Sequence, residues 1–435
     1  MKAFTQPISN LGEFEQITRS LSKTKGMVEV TGCIDSSKSH FIYCAGEAYS
    51  CKVIVTYSEL RAKELYEDYR FFDKKVLLYP SKDLIFYSAD IHSNLLVQTR
   101  ISALKALLEE EEVTIITTMG GCMDHLVPLS DWKKYIFRLD AASSVDVEKM
   151  KKQLVEMGYE RVGQVEGSGQ FAVRGGIIDI YPLTEENPVR IELWGDEVDS
   201  IRSFDVESQR SIENLDAITV YPAAEVIVDK QRAEAGILKM EKEVKKLRRQ
   251  LRDENKTEEA HHLSELLEEC REKLEEYGVG AGLDSYVDYF YDKTVSFLDY
   301  FTDRDTLVVL DEPNRISQEG DAIEQEFRES MMNRLEKGYV LPGQTGILYS
   351  SQEVTGRLNA MRCMGLCTLE AAKGSFRITD RYSIFVKSVN PYNNSFELLV
   401  KDLKRFKKEG YQVILLSGSR TRAKRLAEDL RERCV

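Results

Sequence analysis

Residues 171–211, FAVRGGIIDIYPLTEENPVRIELWGDEVDSIRSFDVESQRS, constrain the fold of this chain more than any other stretch. Three short runs alternate apolar and polar residues: Ile177–Tyr181, Val189–Trp194 and Val198–Phe204. Such alternation specifies strands with one buried face. Gly175-Gly176 precedes the first run, Pro182 to Pro188 follows it, and Gly195-Asp196 has the composition of a two-residue hairpin turn. In the middle run Val189, Ile191 and Leu193 fall on one face, and Arg190, Glu192 and Trp194 on the other. Arginine and tryptophan on the polar face of a strand match the composition of interface anchors. The same pattern also suits a sheet whose Arg–Glu pairs are solvated and whose tryptophan covers a core edge.

A second segment has the spacing of a phosphate loop. Met27–Thr31 reads as a buried strand, and Gly32-Cys33-Ile34-Asp35-Ser36-Ser37-Lys38-Ser39 follows, with a helix expected from His40. The first glycine, the lysine and the final hydroxyl are in place. Ser37 stands where the second glycine belongs, and that glycine lets backbone amides curl around phosphate. Asp35 adds a carboxylate where it would repel the phosphate. Thr306–Leu310 reads as an apolar strand running into Asp311-Glu312-Pro313, the form of the carboxylate motif that holds Mg²⁺ and orients water beside such a loop. Strand-end carboxylates that cap the next segment are the other reading. The set Gly32, Asp35, Ser37, Lys38, Ser39, Asp311 and Glu312 is therefore expected to be a degenerate nucleotide loop.

Residues 23–127 alternate strand and helix, with strands at Met27–Thr31, Lys52–Thr56, Val76–Tyr79 and Val113–Thr118. That order implies a parallel sheet wrapped by helices. Four regions follow from the pattern. A degenerate nucleotide-fold domain covers 1–127, and an inserted antiparallel α+β domain covers 128–215. The chain returns to the first domain over 216–340, carrying a helical hairpin at 232–278. A third small α/β domain covers 345–435, with strands at Tyr382–Val389 and Gln412–Ser417. The hairpin rests on Ile237, Met240, Val244, Leu247 and Leu251 against Leu263, Leu267, Cys270, Leu274 and Tyr277, with its bend at Asp253–Lys256. The fold class is thus multidomain α/β.

Composition excludes several functions. The formal charge of −13 argues against a surface built for duplex DNA. From Lys401 onward, however, eleven Lys/Arg face five Asp/Glu, so a basic last helix, Thr421–Arg433, can touch nucleic acid or an acidic partner, or be a solvated face. No apolar run approaches the roughly 18 residues of a membrane span, and the first ten residues lack a signal-peptide core. Eight scattered cysteines without paired spacing fit a reduced cytoplasm and no metal centre. His261-His262 read as exposed helix histidines.

FAVRGGIIDIYP, then RIELWGDEVDSIRSFD and SQRS, closely resembles the second domain shared by the excision-repair protein UvrB and the transcription-repair coupling factors. The resemblance is sharp over residues 160–225 and looser elsewhere. It implies that this domain docks the damage sensor UvrA, the contacting positions falling on Arg174, Arg190 and Trp194. The last is more often Phe, so the ring is kept and enlarged. A bulge at the glycine pair could turn Arg174 toward the other two. UvrB also has a functional phosphate loop and a tyrosine-rich hairpin that wedges into DNA, for which the stretch 78–99 is too short. Both differences point to the N-terminal, UvrB-like region of a coupling factor. The resemblance then implies a UvrA-binding module with no catalytic residue, cofactor or metal of its own. RNA polymerase and DNA would be engaged by a C-terminal translocase part whose motifs are not found, so the chain reads as an N-terminal fragment. The competing class is a UvrB-type ATP-dependent helicase or damage-verification enzyme.

Overall fold

The computed structural model of the chain describes residues 2–23, 25–82, 94–276, 283–370, 374–389, 391–393 and 395–433. Strands β1 (Gly26–Thr31), β2 (Cys51–Thr56), β3 (Leu77–Tyr79) and β4 (Val113–Thr118) open the chain, separated by helices. After an excursion through eight strands, β5–β12, come β13 (Thr306–Asp311), β14 (Arg362–Cys367) and β15 (Ile378–Ser383). These seven strands form one sheet, ordered β15-β1-β14-β13-β2-β4-β3, with every ladder parallel. Burial on both faces explains why its strands read as continuous apolar runs: Val53–Val55 and Leu307–Leu310 are each fully buried. Because β1 and β13 run parallel with only β14 between them, Thr31 and Asp311 end on the same edge. Ligands of open α/β sheets collect at such an edge.

The excursion comprises β5 (Phe137–Asp140), β6 (Glu160–Arg161), β7 (Gln170–Arg174), β8 (Ile177–Ile180), β9 (Val189–Trp194), β10 (Glu197–Phe204), β11 (Ser211–Asn214) and β12 (Ala217–Val220). Strands β6–β11 make a second sheet in meander order, antiparallel except for the β6–β7 pair. The entering strand β5 pairs with the leaving strand β12, so the excursion begins and ends at one place. Its apolar face, Ile178, Ile180, Val189, Ile191 and Ile201, joins the core of the first sheet. Helices Lys230–Asp253 and Thr257–Glu276 then pair antiparallel through Met240, Val244, Leu263 and Leu267. Asn255 makes the bend between them at φ +62°, a conformation that asparagine tolerates. The architecture is multidomain α/β: a RecA-like, UvrB-like parallel sheet, an antiparallel insertion and a helical hairpin. Among the described residues no helix is long and apolar enough to cross a membrane.

Two strands differ from expectation. The one expected at Tyr382–Val389 forms earlier, as β15, and pairs with β1 at the edge of the first sheet. Gln412–Ser417 is in no strand, and Val413, Ile414, Leu415 and Leu416 are 41–48% exposed. Strand propensity there meets no ladder partner among the described residues, and an isolated strand has nothing to pack against. Beyond Ser383 the third region consists of helices Phe396–Lys408 and Arg420–Glu432, joined by that segment. Of the stretch 78–99, residues 83–93 lie outside the described residues, and so does Tyr277 of the hairpin.

A buried ion cluster ties three regions together. Arg100, 0% exposed, donates to Glu225 through Nε (2.5 Å) and Nη2 (2.9 Å), to the Pro80 carbonyl (2.6 Å) and to Tyr79 Oη (2.6 Å), and pairs with Asp124 at 2.9 Å. Lys82 bridges Glu225 (3.4 Å) and Asp284 (2.6 Å). The cluster joins the first sheet, the segment leaving the insertion, and the residues after the helical hairpin. Burial raises the Glu225 carboxyl pKa, but Arg100 and Lys82 outweigh it and bring it to about 2.

Candidate functional site

Strand β7 turns into β8 through Gly175-Gly176, with Gly175 at φ +62°, which glycine adopts without a Cβ clash. This two-residue turn fixes the register. Arg174 pairs with Ile177, Ile177 with Glu192, and Asp179 with Arg190. Side chains opposed across a ladder share a face, so Arg174, Asp179 and Arg190 converge, and Trp194 lies on the same face four residues along β9. No bulge is needed at the glycine pair; the hairpin register alone brings Arg174 across. A second two-residue turn at Gly195-Asp196 sets Trp194 opposite Glu197.

Asp179 is the hub of this face and is 1% exposed. Its Oδ1 accepts from Arg190 Nε at 2.7 Å, and its Oδ2 accepts from Arg190 Nη2 at 2.9 Å and from Arg174 Nη2 at 2.7 Å. The Arg190 guanidinium lies over the Phe204 ring at 4.4 Å, and Gln209 Oε1 accepts from its Nη2 at 3.2 Å. The hydrogen bonds to Asp179 raise the Arg190 pKa, against a smaller opposing effect of burial. Glu192 is engaged by Arg202 and Ser200. Trp194 is 82% exposed, the most exposed large hydrophobic side chain among the described residues. A tryptophan that exposed contributes almost nothing to the core, so its apolar surface is available to a partner.

The phosphate-loop segment is built differently from a phosphate cradle. Helix Asp35–Gly46 begins three residues before Lys38, so the residues that would curl around phosphate form its first turn. The Ser37 amide and hydroxyl both donate to the Ile34 carbonyl, and the Cys33 amide donates to Cys367. Gly32, at φ +80°, lies against the Ile384 backbone, whose carbonyl oxygen would be 2.0 Å from an added Cβ. Lys38 is fully buried, its Nζ 2.7 Å from Asp311, 2.7 Å from Glu312 and 3.1 Å from Asp35. Burial lowers the Lys38 pKa, but Asp311 and Glu312 more than reverse this and leave it raised.

Arg61 Nε reaches Asp311 Oδ2 at 3.0 Å and Arg61 Nη2 reaches Asp35 at 3.1 Å, while Thr56 donates to Asp311 at 3.0 Å. Ser39 is buried and its hydroxyl makes no hydrogen bond among the described residues. Asp35, Asp311 and Glu312 are the only set of three potential metal-ligating side chains gathered among the described residues. Their oxygens, however, surround the Lys38 ammonium. The lysine that would hold phosphate is thus bonded to the carboxylates that would hold a metal.

The expected residues thus fall into two places: Arg174, Arg190 and Trp194 on one sheet face, and the seven loop residues at the edge of the parallel sheet. Asp179, Phe204 and Gln209 were missed, as were Arg61 and Thr56. Asp179 did carry a signal, being the one charged residue in the apolar run IIDIY. Gln209, a non-glycine residue at φ +58°, and Arg61, distant in sequence from both carboxylate motifs, carried none. Among the described residues His261 and His262 gather no ligand set; His262 stacks on Tyr339 and lies 3.1 Å from the Lys337 carbonyl.

Residues 137–225 match the family model described as the UvrB interaction domain. Over 426 residues the chain is 30% identical to the transcription-repair-coupling factor of Bacillus subtilis, covering 97% of this chain and 36% of that protein. It is 29% identical over 360 residues to the Staphylococcus epidermidis protein of the same name, covering 83% of this chain and 30% of that protein. The Staphylococcus aureus counterpart is 27% identical over 438 residues, covering 99% of this chain and 36% of that protein. The chain therefore spans about a third of the length of the curated relatives it matches. With a UvrB interaction domain inserted in a parallel α/β sheet, the chain is a homologue of the transcription-repair-coupling factors, consistent with their N-terminal UvrB-like region.

Proposed function

We propose that this chain is a UvrA-docking module acting in transcription-coupled excision repair, and that it has no ATPase activity of its own. The carrying observation is the face of the insertion on which Arg174, Arg190 and the exposed Trp194 stand together, inside the segment that matches the UvrB interaction domain. Purified UvrA titrated against this chain tests it; saturable binding is expected, and no binding at tens of micromolar contradicts it. The whole protein, on this reading, couples such docking to RNA polymerase and DNA through parts that the relatives have beyond the matched third.

The absence of ATP chemistry is supported by the engaged Lys38, the helix that begins at Asp35, and Ser37 in place of a glycine. Calorimetric titration with Mg-ATP should give no binding heat, and micromolar affinity would rule this part out. A variant with Asp35→Ala and Ser37→Gly is expected to recover weak binding at most, because Asp311 and Glu312 still hold Lys38.

DNA binding should be weak and salt-sensitive, with a Kd of roughly 10⁻⁴ M or weaker, in the non-specific range. Its source is the basic region Lys401–Arg433, where helix Arg420–Glu432 buries no residue and keeps its cations in solvent. Deleting residues 401–435 should abolish the binding seen by fluorescence anisotropy. A lesion-specific complex at physiological salt is the contrary result.

A further inference from the structure

The docking face carries more than the exposed Arg174 and Trp194 and the half-buried Arg190. Two guanidinium groups share a single buried carboxylate, so the Arg174–Asp179–Arg190 cluster has a local excess of one positive charge. Among the described residues, Arg174 Nε and Nη1 and Arg190 Nη1 make no hydrogen bond. The neighbouring carboxylate on the same face, Glu192, is already paired with Arg202. Arg190 is fixed on four sides, by both Asp179 oxygens, Gln209 and the Phe204 ring, which leaves its conformational freedom already lost before any partner arrives. Arg174 is 47% exposed in its side chain and is held by one bond.

We propose that this cluster is a preorganised receptor for a carboxylate of the docking partner, and that Asp179 is its positioning residue. It rests on the UvrA-docking reading and specifies the chemistry of that contact: an acidic side chain of UvrA bridges the unused donors of Arg174 and Arg190. Asp179 does not touch the partner; it aims both arginines. Planar guanidinium groups held in a fixed orientation suit two parallel N–H···O bonds to a carboxylate, a geometry that an ammonium group cannot reproduce.

Two kinds of variant separate positioning from bulk attraction. Asp179→Asn keeps the side-chain shape and makes the face more positive. If charge alone recruits an acidic partner, affinity for UvrA should rise; if Asp179 aims the arginines, it should fall, by about tenfold. In an Arg190→Ala background the same substitution should cost little further affinity, since one of the groups it aims is gone. Arg174→Lys, at an exposed position that leaves the fold intact, should lose nearly as much affinity as Arg174→Ala despite keeping its charge. Unchanged or tighter UvrA binding by folded Asp179→Asn overturns the positioning role, as does full affinity in Arg174→Lys should Asp179→Asn fail to fold. No UvrA binding by the unmodified chain removes the docking reading itself, a result distinct from either.

Discussion

Arg100→Ala should unfold at markedly lower denaturant than the unmodified chain, with a stability loss of about 3–5 kcal/mol. The substitution strands Glu225 and Asp124, both buried, without the guanidinium that they share. Removing one partner of a buried ion cluster leaves the desolvation cost of the others uncompensated, which is why the loss exceeds that of any surface pair. Glu225 gives the effect a pH dependence. Its folded pKa is depressed from 4.5 to about 2, so its stabilising contribution is present at neutral pH and is lost as pH falls from the upper value to the lower. Glu225→Gln should flatten that part of the acid limb. Chemical denaturation at pH 7 and pH 3 measures both; an Arg100→Ala loss below 1 kcal/mol would show the cluster to be loosely solvated.

Trp194→Ala and Arg190→Ala should each weaken UvrA binding by about 2–4 kcal/mol, or roughly 30- to 1000-fold. The two residues lie four apart on β9, roughly 13 Å by strand rise, so one partner surface can cover both. Trp194 supplies a large apolar area with little side-chain entropy to lose. Arg190 supplies a guanidinium already aimed by Asp179. Arg190→Glu should be worse than Arg190→Ala, because it places a second carboxylate beside Asp179 and opposes the partner's acid. Their structural effects differ: Trp194→Ala should leave the melting temperature unchanged, whereas Arg190→Ala exposes Asp179 to partial loss of its pairing. Isothermal titration with UvrA, read beside thermal melts, separates these contributions.

The parallel sheet was legible because its strands are apolar runs spaced by amphipathic helices, and the docking sheet because its alternation and paired glycines leave one register. Trp194 and the loop around Ser37 stood out for the opposite reason: each breaks a local rule, an indole on a polar face and a serine in place of glycine. Less accessible were features made only by tertiary contact. Arg61 and Lys38 meet Asp311 from elements far apart in sequence. Glu225, in the chain leaving the insertion, finds Arg100 across 125 residues. The Gln412–Ser417 run shows the converse, since its β-branched residues specify a strand whose ladder is missing among the described residues.

The most direct test of the docking account compares UvrA binding by the unmodified chain and by the Arg174/Arg190/Trp194 triple alanine variant. The core residues Val189 and Ile191 on the opposite face are untouched in that variant, but the buried Asp179 loses both of its arginines, so the variant should melt at a lower temperature, and binding is compared below that melt, where circular dichroism should report the same fold. The account predicts saturable binding by the unmodified chain and none detectable by the triple variant at the same concentrations. Equal affinity of the two, with both folded, would contradict it.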